Sequence, residues 1–97
     1  MKLDNSCIYK LAIESIDNEI EQNKKEINNL RCIVEDINAE ILQMRISGKK
    51  SSHEYEDLLS KRRHYTYVLN KTMRKLKKIA NDKTIYKLEK RKIDLME

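Results

Sequence analysis

The apolar residues of the first half of the chain follow a single heptad pattern. One heptad position holds Ile13, Ile20, Ile27, Val34 and Ile41, and the other holds Ile16, Leu30, Ile37 and Met44. Alternating steps of three and four residues keep such a stripe on one side of a helix, where it packs as knobs into holes. Asn23 is the polar member of this run, and it either fixes the register or marks a locally solvated layer. The pattern predicts a first helix over about residues 4–46.

A short polar segment interrupts the pattern. It contains Gly48, the chain's single glycine, and the chain has no proline. Glycine readily adopts the left-handed conformation that closes a helix C-terminus. Ser51, followed three residues later by Glu54, matches a capping box at the start of a new helix. We therefore predict a turn at 47–51 and a second helix over about 52–95, antiparallel to the first because the connection is short.

The second arm carries a matching seam. Its members are Tyr55, Leu58, Tyr65, Leu69, Leu76 and Ile79, with Arg62 and Thr72 as polar interruptions. Folding the chain about residues 49 and 50 pairs positions whose numbers add up to about 99, which sets Ile41 against Leu58 and Leu30 against Leu69. Arg62 can pack its stem on the seam while its guanidinium reaches solvent. The predicted fold is all-α: a single-domain, antiparallel two-helix hairpin of the coiled-coil type.

Beyond Asn81 the apolar pattern changes phase. Ile85, Leu88 and Leu95 do not continue the seam of Leu69 and Leu76. Either the helix continues with a stutter or a slight kink, or it breaks and a short third helix begins at Asp82. We favour the continuous helix.

Further apolar residues flank the seam. They are Ile33, Leu42 and Ile46 on the first arm, and Leu59, Val68 and Met73 on the second. Balancing the conformational entropy of folding needs roughly 60 Å² of apolar burial per residue, which a two-helix seam hardly supplies. We therefore expect the flanking residues to be covered, either by self-association into a helical bundle or by a partner protein.

Charge is divided between the arms. Residues 1–46 hold six basic and nine acidic side chains, whereas residues 47–97 hold fifteen basic and seven acidic ones. Between Leu58 and Asn81 there are eight Lys or Arg and no acidic residue. Lys61 and Lys75 flank the seam, where they can face acids such as Glu40 and Glu26 on the first arm.

Other basic residues are predicted to point away from the first arm. This basic stripe comprises Arg63, Lys71, Arg74 and Lys78, with Tyr67 among them and Lys77 beside them. One interpretation is a solvated face; the others are a site for an acidic protein partner or for nucleic-acid phosphates. We expect a non-enzymatic interaction protein, such as an adaptor, inhibitor or assembly factor. The alternative is a nucleic-acid-associated protein that uses the stripe directly.

Several functions have no support in the sequence. There is no catalytic triad pattern and no phosphate-binding glycine loop, so neither catalysis, a cofactor nor a small-molecule substrate is expected. Cys7, Cys32, His53 and His64 match no metal-binding spacing. Charges interrupt every apolar window, so no membrane span is predicted, and no secretory signal is apparent. An intracellular, cytoplasmic location is the expectation.

Overall fold

The computed structural model describes residues 4–96 of the chain. Helix α1 spans Asn5–Ile46 and helix α2 spans His53–Met96, and the two form an antiparallel hairpin. The predicted all-α hairpin is confirmed. Since α2 is a single helix up to Met96, the alternative of a third helix beginning at Asp82 is wrong.

Helix α1 begins with a side-chain cap. The Cys7 backbone N–H donates to the Asp4 Oδ1 atom at 2.7 Å, and the Ile8 N–H donates to the Asp4 carbonyl at 3.1 Å. A carboxylate at the N-cap satisfies one of the backbone donors that have no partner within the helix. Asp4 therefore defines where α1 starts.

Gly48 closes the other end of α1. Its φ of +73° is left-handed, and its N–H donates to the Arg45 carbonyl at 3.2 Å. The following N–H, from Lys49, donates to the Met44 carbonyl at 2.8 Å. These two bonds are those of a Schellman motif, which stops a helix and reverses the chain.

The cap of α2 is Ser52, so the predicted capping box at Ser51 and Glu54 is wrong. Ser52 Oγ accepts a hydrogen bond from the Tyr55 N–H at 3.2 Å and donates one to the Lys49 carbonyl at 2.8 Å. The same hydroxyl thus caps α2 and ties the helix to the turn. Ser51 is exposed one residue earlier.

The helix pair divides into two compact units, which we describe separately. The turn unit is Lys25–Met73, and it contains the best-buried apolar residues, namely Ile27, Leu30, Ile37 and Ile41, at 2 to 8% exposed. All four belong to the predicted α1 seam. On α2, Thr72 is 8% exposed and its hydroxyl donates to the Val68 carbonyl at 2.9 Å, which satisfies the buried oxygen.

One hydrogen bond shows how the helices of the turn unit are aligned. Arg62 Nη1 donates to Asn38 Oδ1 on α1 at 3.3 Å, and the Arg62 side chain is half-buried. The two residue numbers add up to 100, close to the predicted 99. Arg62 thus lies half-buried in the seam, with its guanidinium bonded to Asn38 on α1.

The terminal unit comprises residues 4–24 and 74–96 of the described chain. Three contacts join its helices: Ser6 with Asp94, Asp17 with Lys83, and Tyr9 with Tyr86. Their residue numbers add up to between 95 and 100, so this unit has the same alignment. Asn23 is 6% exposed here, which places the polar residue of the α1 seam inside the helix pair.

The seam of α2 does not change phase near Asn81, so that prediction is wrong. The half-buried positions continue in steps of three and four through Leu76, Ile79, Lys83, Tyr86, Lys90 and Ile93. Lysine and tyrosine bury their stems or rings while the polar ends reach the edge. Lys83 pairs with Asp17, and Lys90 pairs with Asp94 at 2.7 Å. The seam is therefore regular but polar.

Candidate interaction surfaces

All six members of the basic stripe are exposed. Arg63, Tyr67 and Lys71 lie on the turn unit, and Tyr67 is 60% exposed despite its aromatic ring. Arg74, Lys77 and Lys78 lie on the terminal unit, where they border an open depression in the α2 surface with Asn81 and Thr84. Each unit therefore presents three of the predicted residues to solvent.

The lysines that flank the seam do not make the predicted ion pairs. Over residues 4–96, neither Lys61 nor Lys75 forms an ion pair, whereas Lys83 pairs with Asp17 in the terminal unit. Lys83 is not recognisable as a seam residue from hydropathy, because the predicted change of phase falls just before it. The regular three-and-four spacing after Ile79 is the signal that identifies it.

The six flanking apolar residues all lie in the turn unit, and they differ in exposure. Ile46, Leu42, Met73 and Ile33 are exposed, Ile46 at 87% and Leu42 at 58%, while Leu59 and Val68 are half-buried. Exposed large aliphatic side chains on both helices leave apolar area of this unit in contact with water.

A second set of exposed apolar residues lies on the back of α2. Ile85, Leu88 and Leu95 are 46%, 54% and 78% exposed. Successive residues of a helix are about 100° apart, which puts Leu88 about 160° round the helix from its seam neighbours Tyr86 and Lys90. We call these three residues the α2 outer stripe. Hydropathy alone identifies the same three residues but predicts that they form a seam of shifted phase.

Helix α1 has a corresponding pair on its own back. Ile8 and Leu11 are 49% and 50% exposed, and Leu11 lies about 160° round the helix from Tyr9 and Ile13, which pack in the seam. We call Ile8 and Leu11 the α1 outer pair. Both helices of the terminal unit therefore carry apolar residues that the hairpin does not cover.

An open groove lies beside the turn. It is lined by residues from both helices of the turn unit, including Glu40, Lys49, Glu54, Asp57 and Lys61. Water has free access to it, whereas catalytic sites are usually enclosed. Among residues 4–96 no group of three His, Cys, Asp or Glu side chains is placed to hold a metal ion, and Cys7 and Cys32 are free thiols.

One ionisable group in the terminal unit is shifted. Hydrogen bonds from Lys90 and Ser6 to the Asp94 carboxylate lower its pKa below the usual aspartate value. The group is exposed; its bond with Ser6 joins α2 to α1, whereas Lys90 lies one turn earlier on α2 itself.

No family model matches the chain, and no curated protein or solved structure matches it. Over residues 4–96, neither helix contains a stretch long and apolar enough to cross a bilayer.

Proposed function

We propose that this chain is a non-enzymatic interaction protein whose basic stripe on α2 receives an acidic surface of a partner protein. One observation carries the proposal: all six stripe residues are exposed, in a stretch of α2 with eight basic and no acidic residues. A charge excess of this kind attracts an oppositely charged surface and accelerates association. Adaptor, inhibitor and assembly-factor roles all fit such a module.

The apolar residues of the turn unit supply the rest of the binding surface. Leu42 and Ile46 on α1 and Met73 on α2 are exposed, and burying aliphatic area is the main source of affinity in protein interfaces. Charges at the rim mainly determine the association rate and the choice of partner. The proposed site therefore combines an attractive charge with apolar contacts.

Binding of nucleic acid is the second candidate function. The observation that favours it is Tyr67, which is 60% exposed between the basic residues Arg63 and Lys71. Exposed aromatic rings in basic surroundings stack on unpaired bases. Against it, α2 lies in a plain hairpin without the architecture of a known nucleic-acid reader.

We propose an intracellular, reducing compartment for the protein. Cys7 and Cys32 are both free, and Cys32 is exposed. Exposed free thiols are usual where glutathione keeps cysteines reduced.

Fluorescence anisotropy separates the two candidate functions. The probes are a labelled 22-residue helical peptide with glutamates along one face, a duplex DNA, and single-stranded DNA and RNA. We expect binding of the peptide at physiological salt and no saturable binding of the nucleic acids. If a nucleic acid binds more tightly, with affinity that falls steeply with salt, the second function replaces the first.

A further inference from the structure

The α2 outer stripe and the α1 outer pair complement each other, although they lie on opposite sides of the hairpin and cannot meet within one chain. On α2, Ile85 and Leu88 follow the basic residues Lys75 and Lys77; on α1, Ile8 and Leu11 precede the acidic residues Glu19 and Glu21. We infer that the acidic partner of α2 is α1 of a second copy of this chain. The inference rests on the proposed function and names the partner in it.

The apolar residues of the two backs have matching spacing. Placing α1 of one copy antiparallel on α2 of the next sets Ile8 against Leu88 and Leu11 against Ile85, since each pair of numbers adds up to 96. All four residues are about half exposed, between 46% and 54%. Side chains three residues apart on each helix then interlock as they do in the hairpin's own seam.

The charges beside these apolar residues match in the same arrangement. Along the centre of this contact, the numbers of facing α1 and α2 residues add up to 96. On one flank of that centre Glu21 lies beside Lys77, and on the other flank Glu19 lies beside Lys75. Over residues 4–96, none of these four side chains forms an ion pair within its own chain. Each is exposed, so all four are available to a second copy. Opposite charges on the flanks select antiparallel pairing in this register.

Parallel pairing of α2 with α2 is less favourable than this arrangement. If α2 paired with α2 in parallel, Lys78 and Lys92 would each face their own copy, and like charges in contact oppose association. At the centre of the α1–α2 pairing, Asn18 and Gln22 face Lys78 and Arg74 without like-charge contacts. The charge pattern thus favours the α1–α2 contact over parallel α2–α2 pairing.

The proposed contact is heterologous, because it joins two different surfaces. Each copy carries one of each, the α1 surface and the α2 surface, and can therefore bind two other copies. Such head-to-tail contacts add copies until the assembly closes into a ring or grows open-ended. The contact covers about 15 residues of each helix, which makes it a small interface and a weak one. We expect assembly at roughly 0.1–1 mM protein, in the range of weak encounters.

The test uses two single variants and their mixture. Leu88→Glu removes the α2 surface and Leu11→Glu removes the α1 surface, so each alone should be monomeric in analytical ultracentrifugation. Mixed in equal amounts, they retain one intact contact and should form a one-to-one dimer that grows no further. Ala39→Glu is the matched control, because Ala39 is exposed on α1 in the turn unit and belongs to neither paired surface, and it should assemble like the wild type.

Three results would overturn the inference. They are a wild-type chain that stays monomeric at 1 mM, a wild-type dimer that does not grow with concentration, and a mixture that behaves as two monomers while circular dichroism shows intact helices. The acidic-peptide assay on the same samples separates the two proposals. If the peptide binds α2 and self-assembly fails, the function stands with another acidic partner; if neither occurs, both fall.

Discussion

Ser6 Oγ donates a hydrogen bond to Asp94 Oδ1 at 2.7 Å, joining α1 to α2 in the terminal unit. The second oxygen of the same carboxylate accepts a hydrogen bond from Lys90 Nζ, also at 2.7 Å. One aspartate therefore links a hydroxyl on the opposite helix to an ammonium on its own helix. Because both partners favour the charged form, they hold the pKa of Asp94 below its usual range.

This arrangement predicts the pH dependence of the terminal unit. A carboxyl with a lower pKa in the folded state adds stability above the ordinary aspartate pKa, and that stability is lost as pH falls through the lowered value. We expect Lys90→Met to raise the pKa of Asp94 more than Ser6→Ala does, because Lys90 is the larger cause. NMR titration of the Asp94 carboxyl measures both shifts. An unchanged pKa in both variants would contradict the arrangement.

The Schellman turn predicts a specific cost at Gly48. Its φ is +73°, and an added Cβ would meet nothing within 4 Å, so Gly48→Ala pays only for the backbone conformation. We expect the free energy of unfolding to fall by about 1 kcal/mol in urea denaturation. Gly48→Asn should lose less, because asparagine tolerates the left-handed region better. Equal stability of the alanine variant and the wild type would contradict a left-handed Gly48.

The cap of α2 can be tested with two neighbouring serines. Ser52→Ala removes the oxygen that accepts the Tyr55 N–H, and it should lower the free energy of unfolding by about 1 kcal/mol. Ser51→Ala is the control, and we expect it to change stability by less than about 0.5 kcal/mol. If the Ser51 variant is the less stable one, the helix begins one residue earlier than the structure shows.

The aromatic contact between Tyr9 and Tyr86 tests the continued phase of the α2 seam. The ring centroids are 6.1 Å apart, and Tyr86 is half-buried. Tyr86→Ala should lower the free energy of unfolding by roughly 2 kcal/mol, because it removes the half-buried ring and its contact with Tyr9. Tyr67→Ala removes the same group from a position that is 60% exposed and should cost less than about 0.5 kcal/mol. Similar costs for both variants would argue against the assigned seam.

The sequence predicts the seam well where its residues are purely apolar. The positions of Ile27, Leu30, Ile37 and Ile41 show up in hydropathy because branched aliphatic side chains have no polar end, and these residues form the core of the turn unit. After Ile79, several seam positions hold lysine or tyrosine, which hydropathy counts as polar although their stems or rings are half-buried. The apolar pattern of this segment therefore follows the exposed Ile85 and Leu88 instead of the seam.

Finer details depend on backbone geometry. Whether Ser51 or Ser52 caps α2 depends on the number of residues in the turn around Gly48. The backbone hydrogen bonds of that turn determine this number, and they cannot be read from the sequence. Of the candidate surfaces, one is predictable from the sequence and one is not. Exposure of the basic stripe follows from helical spacing, whereas the α1 outer pair becomes visible once Tyr9 and Ile13 are seen to occupy the seam.

The proposed role of the basic stripe is tested most directly by binding of the acidic helical peptide to two charge-matched variants. Lys71→Glu with Lys78→Glu reverses two stripe residues, and Lys24→Glu with Lys25→Glu makes the same net change on α1, where both lysines are exposed. We expect the stripe variant to bind at least about tenfold more weakly than the wild type and the α1 variant to bind within about threefold of it. Equal losses in the two variants would show that net charge alone attracts the peptide, and would contradict a docking site on α2.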